Sequence, residues 1–176
     1  RCSGVTARAP VTMLPTLTGL RGIAALAVLF YHIRGAMTGF LPDQGIAVLA
    51  QGYLAVDLFF VLSGFVLWWN YGAQFGEQGI RAAPHFIVRR FARIFPLHLA
   101  ILSAMALFAM ALVLSGRDPG AQYRFDALPA HYFLVQNWGL GDRLAWNDPA
   151  WSISAEWAAY LVLALTGGWL ARWRIG

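Results

Sequence analysis

Ile46-Ala-Val-Leu-Ala-Gln-Gly-Tyr-Leu-Ala-Val-Asp-Leu-Phe-Phe-Val-Leu-Ser-Gly-Phe-Val-Leu-Trp-Trp69 is a run of 24 residues that carries one charge, Asp57. As a helix it would extend about 36 Å, enough to cross a hydrocarbon core of roughly 30 Å. Three more apolar runs of comparable length cover 18–37, 94–114 and 150–171. A fifth, 128–138, is too short to span and reads as an interfacial or re-entrant helix. The expected fold is therefore all-α, a polytopic membrane helix bundle of about four transmembrane helices plus this short one.

Composition points the same way. Hydrophobic residues make up 59% of the 176 and charged residues only 12%, with a mean hydropathy of +0.57. Soluble domains carry about 25% charged residues, so this surface must face something apolar. The eight Trp suit rings seated at membrane interfaces. The net charge of +5 comes from 13 basic residues, all Arg, which flank apolar runs. Nucleic-acid binders instead gather such charge into exposed basic stretches, so no nucleic-acid partner is expected. The only cysteine is Cys2, which excludes an intrachain disulfide and a cysteine metal cluster. Neither a Walker-type glycine loop, a His-Glu-x-x-His zinc motif nor a Gly-x-Ser-x-Gly elbow occurs, and no metal site is expected.

Local signals suggest the limits of the runs. Pro96 and Pro149 suit first turns of the third and fourth helices, Asp148 suits an N-cap, and Asn70-Tyr71-Gly72 suits a stop. Arg1, Arg8 and Arg21 precede or open the first run, Arg81, Arg89, Arg90 and Arg93 separate the second and third, and Arg172 and Arg174 follow the fourth. The opposite loops hold Arg34, Arg117, Arg124 and Arg143, the last three among aspartates. Nine against four places the N-terminus in the cytoplasm, with 1–16 as a cytoplasmic segment and 17–176 as the membrane domain. Residues 1–15 hold no long apolar stretch, so a cleaved signal peptide is not expected there, Met13 would serve as a start, and the chain reads as a fragment.

Ionisable groups inside such runs are costly and mark function by default. Arg21 and His32 are 11 residues apart, about three helical turns, so they share a face roughly 16 Å long. Asp57 lies about 18 Å above the inner end of its run, and Glu156 about 9 Å below the outer end of its own. His32, Asp57 and Glu156 thus reach a similar depth, with Ser63, Ser152 and Ser154 as polar neighbours. A histidine oriented by a carboxylate is the usual general base, because the acid stabilises the imidazolium that forms. The plainer alternative is that these groups only pair to hold helices together. Arg90 and Arg93 share a helix face and suit bidentate phosphate binding, the alternative being ordinary positive-inside anchors. For His85, His98 and His131 interfacial roles are expected, and Gly64, Gly167 and Gly168 suit close helix approach.

Leu17-Thr-Gly-Leu-Arg-Gly-Ile-Ala-Ala25 through Phe30-Tyr-His32, Val56-Asp-Leu-Phe-Phe-Val-Leu-Ser-Gly64, Arg89-Arg-Phe-Ala-Arg-Ile-Phe-Pro96 and Trp151-Ser-Ile-Ser-Ala-Glu156 together resemble the acyltransferase 3 family, in that family's order. The resemblance implies the N-terminal portion of an integral membrane enzyme that transfers an acyl group, often acetyl. The donor would be cytoplasmic acyl-CoA, a substrate and not a bound cofactor. Acceptors in the family include envelope polysaccharides, lipid-linked sugars, peptidoglycan and some small molecules. The family's Arg-x10-His motif maps onto Arg21 and His32, its Arg-x-x-Arg motif onto Arg90 and Arg93, and its Trp-Ser-x-x-x-Glu helix onto Trp151, Ser152 and Glu156. Many relatives have a second acid after the last position, where this chain has Trp157.

The combined expectation is a bacterial cytoplasmic-membrane enzyme surrounded by membrane lipids. Arg90 and Arg93 hold the CoA phosphates, Arg21 guides the thioester, and His32, oriented by Asp57 or Glu156, takes the acceptor proton. Ser63, Ser152 and Trp151 are the expected substrate contacts. A proton-coupled carrier or sugar-lipid translocator would use the same buried His and carboxylates but has no need of the arginine pair. A membrane-bound O-acyltransferase of another fold would share the histidine without these motifs.

Overall fold

The computed structural model describes residues 15–139 and 145–173. Most of the expected cytoplasmic segment 1–16, with Arg1 and Arg8, lies outside them, as do Asp142, Arg143 and Arg174. The described residues form α1 (Pro15–Ile33), α2 (Asp43–Ala50), α3 (Leu54–Gln78), α4 (Ala83–Leu114), α5 (Leu128–Tyr132) and α6 (Ala150–Arg172). Tight 3-10 turns join several of them, and no strand longer than the isolated Thr38–Leu41 bridge occurs among the described residues. The fold is all-α.

Three helical stretches are long and apolar enough to cross a membrane: Thr16–Met37, Asp43–Leu114 and Ala150–Arg172. The second has 72 residues and contains both of the expected runs 46–69 and 94–114. Within it α3 has 25 residues and α4 has 32, each beyond the roughly 20 that a span requires. The outer faces of α3, α4 and α6 stay apolar: Val61, Leu107 and Leu165 are 68%, 73% and 74% exposed. Water would penalise such surfaces, whereas lipid does not.

The chain divides into two compact units, Arg1–Asn70 and Tyr71–Gly176. In the first, α1 packs against α2 and the 3-10 turn Gln51–Tyr53. That turn breaks the run expected as one helix over 46–69. Gly52 explains the break, since a Cβ there would lie 2.5 Å from the Ala27 carbonyl oxygen and 2.9 Å from Tyr31 Cβ. Only glycine lets the two backbones approach so closely. Asp57 consequently sits in the first turn of α3, not midway along one long helix.

In the second unit the end of α3 meets α4 and α6. The expected stop at Asn70-Tyr71-Gly72 is not used. The Asn70 amide donates 2.8 Å to the Val66 carbonyl four residues back, and the helix continues to Gln78. The stop is Gly79, whose φ of +56° is the left-handed geometry that glycine supplies after a helix. Next α4 begins at Ala83 with Pro84 in its first turn, so Pro96 falls inside the helix. The start expected near Ile94 came from hydropathy, which Arg89, Arg90 and Arg93 depress although arginine is a good helix former.

The turn after Gly79 reverses the chain. A straight helix would hold residues 75 and 86 about 16 Å apart. Instead the Phe75 and Phe86 rings meet at 5.6 Å, Tyr71 and Phe86 at 5.0 Å, and Phe86 and Tyr160 at 5.9 Å. Two glycines of α6 permit this core. A Cβ on Gly167 would lie 2.9 Å from the Phe75 ring, and one on Gly168 would lie 2.8 Å from Gly79 Cα. Gly64, also expected at a close approach, has nothing within 4 Å of such a Cβ.

Farther along, α4 packs its Leu102 and Ala109 with Ala127, Ala145 and Trp146. The Trp146 indole donates 2.7 Å to the Arg124 carbonyl, which ties down the segment between α4 and α5. The Arg124 guanidinium, 2.6 Å from Asp126, holds that exposed carboxyl below the usual aspartate range. The expected short helix over 128–138 is a helix only to Tyr132, followed by turns. Buried Ser154 of α6 holds those turns: its hydroxyl donates to the Leu134 carbonyl at 2.7 Å and accepts the Asn137 amide at 3.3 Å. Non-helical backbone at membrane depth survives where protein satisfies it in this way.

Candidate functional site

In the first unit α1 carries Arg21 and His32 three turns apart. The His32 ring bonds through Nδ1 to the Val28 carbonyl at 2.8 Å, the i−4 oxygen of its own helix. A carbonyl oxygen only accepts, so Nδ1 carries the proton and the neutral ring keeps its lone pair at Nε2. Tyr31 meets the ring edge-on at 5.2 Å. His32 is thus oriented by backbone, and no hydrogen bond joins it to Asp57 among the described residues. Arg21 lies with its guanidinium carbon 6.0 Å from the Phe59 ring centre on α3. Asp57, exposed in the first turn of α3, sits where the helix dipole favours a carboxylate. Ser63 is half-buried on the same helix.

In the second unit the arginines of α4 separate. Arg89 donates from Nε to His85 Nε2 at 3.1 Å. Arg93 is exposed. Arg90 is half-buried and donates from a terminal guanidinium nitrogen to the Tyr71 hydroxyl at 3.0 Å. Its guanidinium carbon lies 5.3 Å from the Tyr71 ring centre, 5.8 Å from Tyr160 and 6.0 Å from Phe86, within the range where ring faces attract cations. Its Nε is buried without a hydrogen-bond partner. On α6 the Tyr160 hydroxyl donates to the Glu156 carboxylate. Arg90 and Glu156, read from sequence as parts of separate sites, therefore flank one tyrosine.

Tyr71 and Tyr160 escaped the sequence reading. Tyr160 stands four residues after Glu156, a spacing that brings helical side chains together, so the signal was present. Tyr71 is 19 residues from Arg90, and only the reversal after Gly79 joins them. Trp157 packs its ring 5.2 Å from Phe95 of α4, an apolar contact that an acid at this position would not make.

At the start of α6, Trp151 is half-buried and Ser152 donates back to the Pro149 carbonyl at 3.0 Å. Asp148 does not cap the helix, since Pro149 holds the N-cap position without a side-chain bond. His98 and His131, expected at interfaces, are buried instead. His98 Nε2 donates to the His131 carbonyl at 2.8 Å, which ties α4 to α5. No group of three or more His, Cys, Asp or Glu with metal-ligand geometry occurs among the described residues.

Helices long and apolar enough to cross a membrane, three stretches of them, mark the class of integral membrane proteins, and they carry His32 and an arginine–tyrosine–glutamate cluster. Within that class the chain belongs to the Acyl_transf_3 family, whose acyltransferase domain matches residues 14–176. It is 39% identical over 164 residues to acyltransferase MdmB of Streptomyces mycarofaciens, which covers 88% of this chain and 39% of that protein. It is 36% identical over 168 residues to protein 2 in the picA locus of Rhizobium radiobacter, covering 86% of this chain and 81% of that protein. No solved structure matches the chain.

Proposed function

We propose that the chain, with 17–176 as its membrane domain, is the N-terminal part of a membrane enzyme that moves an acyl group, acetyl in the simplest case, from cytoplasmic acyl-CoA to a hydroxyl of an extracytoplasmic carbohydrate or lipid-linked sugar. The observation that carries the reading is His32, whose Nδ1 is held by the Val28 carbonyl and whose Nε2 is left to accept a proton. Nε2 takes the acceptor hydroxyl proton as its oxygen attacks the thioester carbonyl. The carbon–sulfur bond then breaks, and the proton passes from the imidazolium to the CoA thiolate. Asp57 favours the imidazolium through its charge, and Arg21 steers the donor toward it. Arg90 and Arg93 attract the donor phosphates, with the buried Arg90 Nε as a donor still to be used. Glu156 belongs to the Arg90 cluster, and Ser63, Trp151 and Ser152 contact substrate. The kinship with an acyltransferase of Streptomyces supports this reaction class.

The test is His32→Ala in the full-length protein, with acetyl transfer to envelope glycans read by mass spectrometry. Loss of general-base catalysis costs about 10² to 10⁴ in rate, so transfer should vanish while the protein still inserts. Product at near-normal levels would sink the reading.

A further inference from the structure

Tyr160 has no part in the reaction just described, yet it touches both ends of the polar cluster. Its hydroxyl donates to Glu156, and its ring centre lies 5.8 Å from the Arg90 guanidinium carbon. The helices set these groups level. Gly168 of α6 lies against Gly79, just before α4 begins. Tyr160 is eight residues from Gly168, about 12 Å, and Arg90 is seven residues from Ala83, about 10 Å. Glu156 is one further turn along α6 on the same face as Tyr160. Inside an apolar bundle, a carboxylate and a guanidinium that flank the same tyrosine would ordinarily turn to each other as an ion pair. Among the described residues they do not, and the one ion pair seen is Arg124–Asp126. The Glu156 carboxylate is taken up by the tyrosine hydroxyl, while Arg90 is held by rings and by the Tyr71 hydroxyl, with Nε unpartnered.

We propose that Tyr160 is a positioning residue that holds Glu156 off Arg90, so that the guanidinium stays open to an anionic ligand. The rings of Tyr71, Phe86 and Tyr160 stabilise the cation without neutralising it, which an acidic partner would do. This inference rests on the proposed role of Arg90 in binding the donor's phosphates. Without the hydroxyl, the freed carboxylate pairs with Arg90 and competes with the donor. The opposing view is that Tyr160, 2% exposed, only packs against Phe86.

Coenzyme A affinity of the full-length protein in lipid nanodiscs separates the two, because binding needs no acceptor. Tyr160→Phe keeps the ring and its packing but removes the hydroxyl, and should weaken coenzyme A binding about tenfold, the scale of one charged hydrogen bond. Adding Glu156→Gln removes the competing charge, so the double variant should return to within about twofold of wild type. A packing role predicts no such rescue. Wild-type affinity in Tyr160→Phe, or a double variant no tighter than Tyr160→Phe, overturns the inference alone. Wild-type protein that binds no coenzyme A overturns it together with the role of Arg90. If Tyr160→Phe does not accumulate but the double variant does, the double variant's affinity decides by the same measure. Failure of both to accumulate makes the hydroxyl a folding requirement and also overturns the inference.

Discussion

His32 and the arginines of α4 show how much a residue's chemistry depends on its immediate partners. A histidine near the end of a helix finds the i−4 carbonyl within reach, and that one contact selects the Nδ1 tautomer. The two arginines of the Arg-x-x-Arg motif share a sequence pattern but not an environment. Arg90 is committed to Tyr71 and to three ring faces, whereas Arg93 is exposed. Their substitutions should therefore differ in kind. Arg93→Gln should weaken coenzyme A binding while leaving the melting temperature of the detergent-solubilised protein unchanged. Arg90→Gln should weaken binding and also lower the melting temperature, since it removes a cation–ring contribution of about 0.5–2 kcal/mol and the bond to Tyr71. Equal melting temperatures for the two variants would contradict this division of labour.

The elements are set by glycines at least as much as by apolar runs. Gly52 admits α1 to the turn before α3, Gly79 ends α3, and Gly167 with Gly168 seats α6 on the reversal. At Gly52 the added Cβ would strike backbone, which cannot swing aside as a flexible side chain can. Gly52→Ala should cost about 1–3 kcal/mol, the usual range for overpacking. Gly64→Ala lies in an open position inside α3 and should be neutral or stabilising by about 0.5–1 kcal/mol, the helix preference of alanine over glycine. Thermal unfolding of the two variants in one detergent gives the comparison, and a Gly52→Ala variant as stable as Gly64→Ala would be the contrary result. The sequence already marked Gly167 and Gly168, but Gly64 looked the same by composition. Nothing in a single chain says which glycine meets a neighbour.

At the scale of the whole molecule, the spans α1, α3, α4 and α6, two of them in the stretch Asp43–Leu114, and the arginine asymmetry predict that the segment after α4 faces outward. A cysteine at exposed Ala121, in a Cys2→Ser background, should react with a membrane-impermeant maleimide added to intact cells. Labelling only after the cells are opened would invert the topology. The all-α class and the existence of the spans were legible in the sequence, because hydrophobic length is a local property that bilayer thickness converts directly into a span. Arg21, His32 and Glu156 stood out as ionisable groups in apolar runs, and Arg90 stood out through its Arg-x-x-Arg spacing with Arg93. The tertiary structure alone decided the break at Gln51–Tyr53, the early start of α4 and the reversal after Gly79. Hydropathy averages over a window and is blind to a backbone contact at a single glycine. It alone also placed Tyr71 against Arg90 and Tyr160 between Arg90 and Glu156. A hydrogen bond across 19 residues depends on where the chain turns, and that is settled by packing between helices rather than by the order of residues along one.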